Sequence, residues 1–143
     1  MTMTDVIILA ASAGGVGALV GIAWLLGFRR RARLRDESVV AAVMRAHEPG
    51  AEPFDIGMDK NGLAAGARLR DGRFAIARPV ADGVAVRFFG ADAVRSVALR
   101  RPSGGPTARI VFADLGFPPV TLAFATSDFP SWTEALRHAT RSA

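Results

Sequence analysis

The stretch Val6–Phe28 carries no charged side chain, and Arg29, Arg30, Arg31, Arg33 and Arg35 follow it at once. At ~1.5 Å per residue a helix of about 23 residues reaches ~34 Å, enough to cross a ~30 Å hydrocarbon layer with some tilt. A backbone in lipid must satisfy its own hydrogen bonds, and a helix does so within one segment. The stretch therefore reads as one transmembrane helix. Everything after it reads as a small domain attached to that helix.

A cleaved leader is the competing reading, because Ala11-Ser12-Ala13 has the small-x-small form of a cleavage site. The chain ahead of it, Met1 to Asp5, has no positive charge, and the apolar run continues for about fifteen residues beyond the supposed cut. Both features favour a span. The N-terminal flank holds only Asp5, whereas the C-terminal flank holds the five arginines. The positive-inside rule then predicts the N-terminus outside and the C-terminal domain in the cytoplasm. Trp24 and Phe28 lie toward the arginine end, where aromatic rings favour the headgroup layer.

One face of this helix is small. Ala13, Gly17 and Gly21 recur every four residues, beside a second row of Ala10, Gly14 and Ala18. Small residues at this spacing let two helices approach closely, so the expected partners are membrane lipid and either another membrane protein or a second copy of the chain. Glycine is also common in membrane helices for no such reason.

The formal net charge is +5 over 143 residues, and Lys60 is the only lysine. The five juxtamembrane arginines account for a charge of that size, which leaves the rest close to neutral. The charge therefore points to topology and anionic lipid headgroups, not to nucleic acid. There is no cysteine. That excludes disulfides, thiol nucleophiles and cysteine-ligated metal, and it suits a reducing compartment. The preference for arginine and alanine has the look of a GC-rich bacterial gene, and a bacterial inner membrane is the expected location.

The chain reads as residues 1–28 for the tail and span, 29–48 for a basic juxtamembrane helix, 49–61 for a linker and 62–143 for a β domain. In the second segment Val39, Val40, Val43, Met44 and His47 fall on one helical face, and Pro49-Gly50 ends it. His47 reads as a helix-end residue. Asp59-Lys60-Asn61-Gly62 reads as a turn, since the later ligands of a calcium loop are missing. From Gly62 the period changes to two. Strands are predicted over Leu63–Leu69, Arg73–Pro79, Val84–Phe89, Val94–Arg100, Ala108–Ala113 and Val120–Ala125, with Asp71-Gly72 and Asp82-Gly83 as hairpin turns. Phe74, Ile76, Ile110, Phe112, Val120, Leu122 and Phe124 are the core candidates. A last helix follows, with Asp128 as its cap or Ser131 and Glu134 as a capping box, and with Phe129, Trp132, Leu136 and Ala139 on one stripe. The fold class is thus one N-terminal transmembrane α-helix plus a mainly β domain. That domain is an antiparallel meander of about six to seven strands, a barrel or sandwich, closed by a C-terminal helix.

The strand runs RFAIARP, VAVRFFG and ARIVFAD and the closing helix FPSWTEALRHA resemble the layout of pleckstrin-homology-like (PH-like) domains of bacterial membrane proteins. The resemblance covers about Gly62 to Thr140. It implies seven strands, with Phe54 to Met58 as the place for the one not read above. It also implies a binding or scaffolding role, with lipid headgroups among the possible ligands, and it carries no catalytic residue across.

No reaction is written in the sequence. Gly14-Gly15-x-Gly17 lies within the apolar segment and lacks the context of a dinucleotide loop. The two histidines are distant, and the acids sit singly among turns. The expectation is a non-enzymatic membrane protein without cofactor, metal or small-molecule substrate, whose cytoplasmic domain is an interaction or scaffold module or an accessory subunit of a membrane complex. An anionic-lipid module is the alternative, and an enzyme with a dispersed site is the second alternative. Leu115 and Phe117, in the apolar connection Leu115-Gly116-Phe117-Pro118-Pro119, are candidate partner contacts unless Phe117 folds back onto the core.

Overall fold

The computed structural model describes residues 2–25 and 33–143. Phe28, Arg29, Arg30 and Arg31 lie outside the described residues. The chain divides into two compact units, Met1–Arg31 and Ala32–Ala143.

Among its described residues the first unit holds one helix, α1 (Met3–Leu25), apolar on every side and with no residue buried. Thr2 and Asp5 cap it reciprocally: the Thr2 backbone N–H and hydroxyl donate to the Asp5 carboxylate at 2.7 and 2.8 Å. Ile7, Leu9 and Leu19 are each more than 60% exposed, and the helix is long and apolar enough to cross a membrane.

The second unit has seven antiparallel strands in two sheets. β1 (Pro53–Met58), β2 (Ala65–Leu69), β3 (Phe74–Val80) and β4 (Gly83–Phe89) form one sheet in that order. β5 (Val94–Arg100), β6 (Thr107–Phe112) and β7 (Val120–Ala123) form the other. The helices are α2 (Glu37–His47) before the strands and α3 (Ser131–Ser142) after them. The strand expected within Phe54–Met58 is present as β1, inside the stretch read from sequence as a linker. The unit accordingly includes residues 32–61 and does not begin at 62.

Alternation along the strands sorts the side chains into two cores on either side of the four-stranded sheet. Toward the second sheet it sends Phe74, Ile76 and Phe89, which meet Val94, Ile110, Phe112, Val120, Leu122 and Phe124. Toward α2 it sends Ala65, Ala67, Ala75 and Ala77, with Leu69 and the partly buried Val84, Val86 and Phe88. Four alanines make a floor low enough for a helix to lie close, and Val40 and Met44 of α2 fill the space with no residual exposure. The buried face of α2 is therefore Val40, Ala41 and Met44, rotated from the expected stripe. Val39 is left 38% exposed, because the small Ala41 suits the closest approach to the floor. Asp36 caps α2 by accepting from the Val39 N–H at 2.9 Å. His47 ends the helix, its Nδ1–H donating to the Val43 carbonyl at 2.9 Å.

The two sheets do not close into a barrel; no ladder joins one to the other. The β1–β2 turn takes the place of a ladder at one edge. Asp59, only 8% exposed, accepts from the Asn61 N–H and from the Ala123 N–H of β7, each at 2.9 Å. The Lys60 N–H donates to the Ala123 carbonyl at 2.7 Å. Gly62 completes this turn at φ +68, a conformation that glycine adopts without steric cost.

α3 packs across one end of the unit, against β5, β1 and β2. Trp132 and Leu136 are fully buried, as the stripe predicted. The cap differs from expectation. Pro130 occupies the N-cap position with no side-chain bond, Ser131 donates to Asp55 of β1 at 2.6 Å, and Asp128 faces Arg101 at 3.5 Å. Proline has the fixed φ that suits a helix start, so the end is preset without a carboxylate.

Candidate functional site

Several arginines of the β unit pair with acids of the same unit. Arg73 grips both oxygens of Glu48, at 3.2 and 2.8 Å, and donates through Nε to Asp71 at 2.8 Å. This two-pronged bond ties the end of α2 to the β2–β3 turn. It raises the Arg73 pKa above its ordinary value, chiefly through Glu48 and then Asp71, and Arg73 in turn holds the Asp71 carboxyl below the usual carboxylate range. Arg70 pairs with Glu52, and Arg101 donates to the Ser127 carbonyl at 2.6 Å while lying 4.9 Å from the Phe129 ring.

Arg87 is the organising residue of one open corner. Its guanidinium lies 4.2 Å from the Phe117 ring and 4.9 Å from the Phe112 ring, and 3.7 Å from Asp114. Phe112 and Phe117 meet edge to face at 4.6 Å, and Phe89 meets Phe112 in the same way at 5.0 Å. A line of aromatic rings thus runs from the core out to the β6–β7 connection. That connection is set by Asp114, which accepts from the Gly116 N–H at 2.8 Å. Phe117 folds back over the core, and Leu115 projects from the tip, 94% exposed. The two expected contact residues therefore part company.

Between Phe117 and the β3–β4 hairpin lies an open groove of about 340 Å³. Ile76, Arg78 and Val80 of β3 and Ala85 and Arg87 of β4 line it with Phe117; Pro79 and Val86 complete the lining. Cross-strand registry places Arg78 opposite Ala85 and Ile76 opposite Arg87. Ala85 leaves the space that its larger neighbours enclose. Arg87 is engaged with Asp114 and the rings, whereas Arg78 has no ion pair among the described residues. Of this lining the sequence had singled out only Phe117 as a candidate contact; nothing local placed the β3–β4 residues beside it.

The other expected residues fall as follows. Ala13, Gly17 and Gly21 share a face of α1, and a Cβ built on either glycine meets nothing within 4 Å. Arg33 and Arg35 are exposed on the approach to α2, while Leu34 between them is buried, its N–H donating to the Gly62 carbonyl at 3.1 Å. Arg95, Arg100 and Arg109 are exposed on the second sheet, whose three strands contain no acidic residue. Among the described residues no three His, Asp or Glu side chains converge as a metal site would require. No protein-family model, curated protein or solved structure matches the chain.

Proposed function

We propose that the chain is a non-enzymatic, single-pass membrane protein of a bacterial inner membrane, with its N-terminus outside and its β unit in the cytoplasm as an interaction or scaffold module. The observation that carries this reading is α1. An apolar helix of this length in which no described residue is buried is suited to a bilayer, which covers such a surface along its whole length. The order of four strands, three strands and a closing helix supports the PH-like layout, and such domains serve as binding modules. The partner on the membrane side is another membrane subunit or a second copy, received on the Ala13, Gly17 and Gly21 face. Arg33 and Arg35, with Arg29, Arg30 and Arg31, set the topology and touch anionic headgroups.

Two experiments test the reading. Active phosphatase fused at the C-terminus in the periplasm would overturn the topology; activity of a cytoplasmic reporter there is expected. Affinity purification in mild detergent should recover a stable partner or dimer that Gly17→Ile with Gly21→Ile abolishes. A lone monomer, unchanged by the double substitution, would overturn the scaffold role.

The arginines of the second sheet favour a second reading, an anionic-lipid module. It predicts that removing Arg95, Arg100 and Arg109 together weakens salt-sensitive contact of the β unit with phosphatidylglycerol-containing bilayers.

A further inference from the structure

We propose that the groove under Phe117 binds a single-chain fatty acid, its carboxylate on Arg78 and its chain along Ile76, Val80, Ala85 and Phe117. Four observations carry this. Arg78 is partly buried in a mainly apolar groove, and among the described residues it has neither an ion pair nor a hydrogen bond. A cationic side chain partly shielded by apolar walls favours a counter-charge, and a carboxylate supplies one. The lining contains no hydroxyl, amide or acid side chain, so a sugar or nucleotide would leave its polar groups without side-chain partners, whereas a hydrocarbon chain needs none. The volume of about 340 Å³ sits at the small end of ligand pockets, which run from ~300 to ~1,000 Å³, and suits one chain better than two. Finally, the Phe117 wall is already held by Phe112, Arg87 and Asp114, so the groove is preorganised. The proposal does not depend on the course of α1 through a bilayer.

The test uses the full chain in phosphatidylcholine nanodiscs and a dodecanoic acid bearing a terminal diazirine. After illumination and digestion, the label is expected in peptides containing residues 76–87 or 113–119. Free dodecanoate should compete and dodecyltrimethylammonium should not. Arg78→Gln should weaken labelling about tenfold or more, the loss expected for one charge-assisted pair. Ala85→Trp, at an exposed position, should fill the groove and abolish labelling with Arg78 still in place. Label confined to residues 3–25, equal competition by the ammonium amphiphile, or labelling indifferent to both substitutions would overturn the proposal. Competition by an acidic apolar peptide but not by dodecanoate would also overturn it and give the groove to a protein partner.

Discussion

Gly66→Ala should destabilise the packing that Trp132 organises. Gly66 is not in a left-handed conformation, so its backbone tolerates any residue, and alanine in a strand is ordinarily better than glycine by about 0.5–1 kcal/mol. Space decides otherwise. A Cβ built on Gly66 falls 2.2, 2.3 and 2.9 Å from Cζ2, Cη2 and Cε2 of Trp132. Carbon atoms pack at ~3.5–4.0 Å, so the ring must move by more than ~1 Å. It has nowhere to go: Trp132 and Leu136 are fully buried, and the indole nitrogen already lies against Gly57. Overpacking of this kind costs about 1–3 kcal/mol, and the depth of the clash puts Gly66→Ala at the upper end. For a unit of about 110 residues, 3 kcal/mol lowers the melting midpoint by roughly 13 °C. Trp132→Ala alone should cost about 3–5 kcal/mol. Once the ring is gone the three atoms nearest the new methyl go with it, so Gly66→Ala should then cost far less, which gives a coupling energy of about 2–3 kcal/mol in the double-mutant cycle. Thermal unfolding of the full chain in detergent, followed by far-ultraviolet circular dichroism, measures all four corners. A midpoint unmoved by Gly66→Ala, or additive effects, would refute the close approach of Trp132 to β2.

Other predictions concern the polar ties. Asp59→Ala removes the acceptor shared by the partly buried Asn61 and Ala123 N–H groups and should cost about 1–3 kcal/mol by urea unfolding, with Asp59→Asn less harmful. Arg73→Lys cannot reproduce the fork on Glu48 and should lower the melting midpoint, more at low salt than at high. Asp36 and Asp71 are both held below the ordinary carboxylate value. Ser38 and then the Val39 N–H are the causes at Asp36, and Arg73 is the cause at Asp71. Depressed folded values mean that their contribution is full at neutral pH, begins to fade as pH falls to the ordinary carboxylate value, and is gone below the folded one. A stability profile between pH 6 and about 2 should therefore flatten in the double variant Asp36→Asn, Asp71→Asn; an unchanged slope would contradict these contacts.

The apolar segment, six of the seven strands and the closing helix were legible because each carries its own period. β1 was reached only through the resemblance, which left room for a strand within Phe54–Met58; its own residues Pro53, Asp55 and Gly57 look like loop residues. Pro53 is tolerated because β1 is an edge strand, and Gly57 is required because Pro130 and Trp132 lie over it, within 2.8 Å of where a side chain would begin. The same ring explains Gly66, so two unremarkable glycines are set by one tryptophan far along the chain. The face of α2 was misjudged because helical periodicity identifies a stripe without saying how close the floor beneath it lies. The grooved corner was invisible for a similar reason. Arg87 and Asp114, or Arg73 and Glu48, are brought together only by strand pairing, and nothing local marks them as partners.

The alanine floor has a practical consequence for anyone dissecting this molecule. Pro49-Gly50 is where the sequence invites a cut, yet a fragment started there leaves Ala65, Ala67, Ala75 and Ala77 roofless and sets Leu69, Val86 and Phe88 in water. Such a fragment would stick to itself, to resin and to vesicles alike, and its adhesion would be mistaken for recognition. A trustworthy soluble piece has to keep Leu34 and the whole of α2.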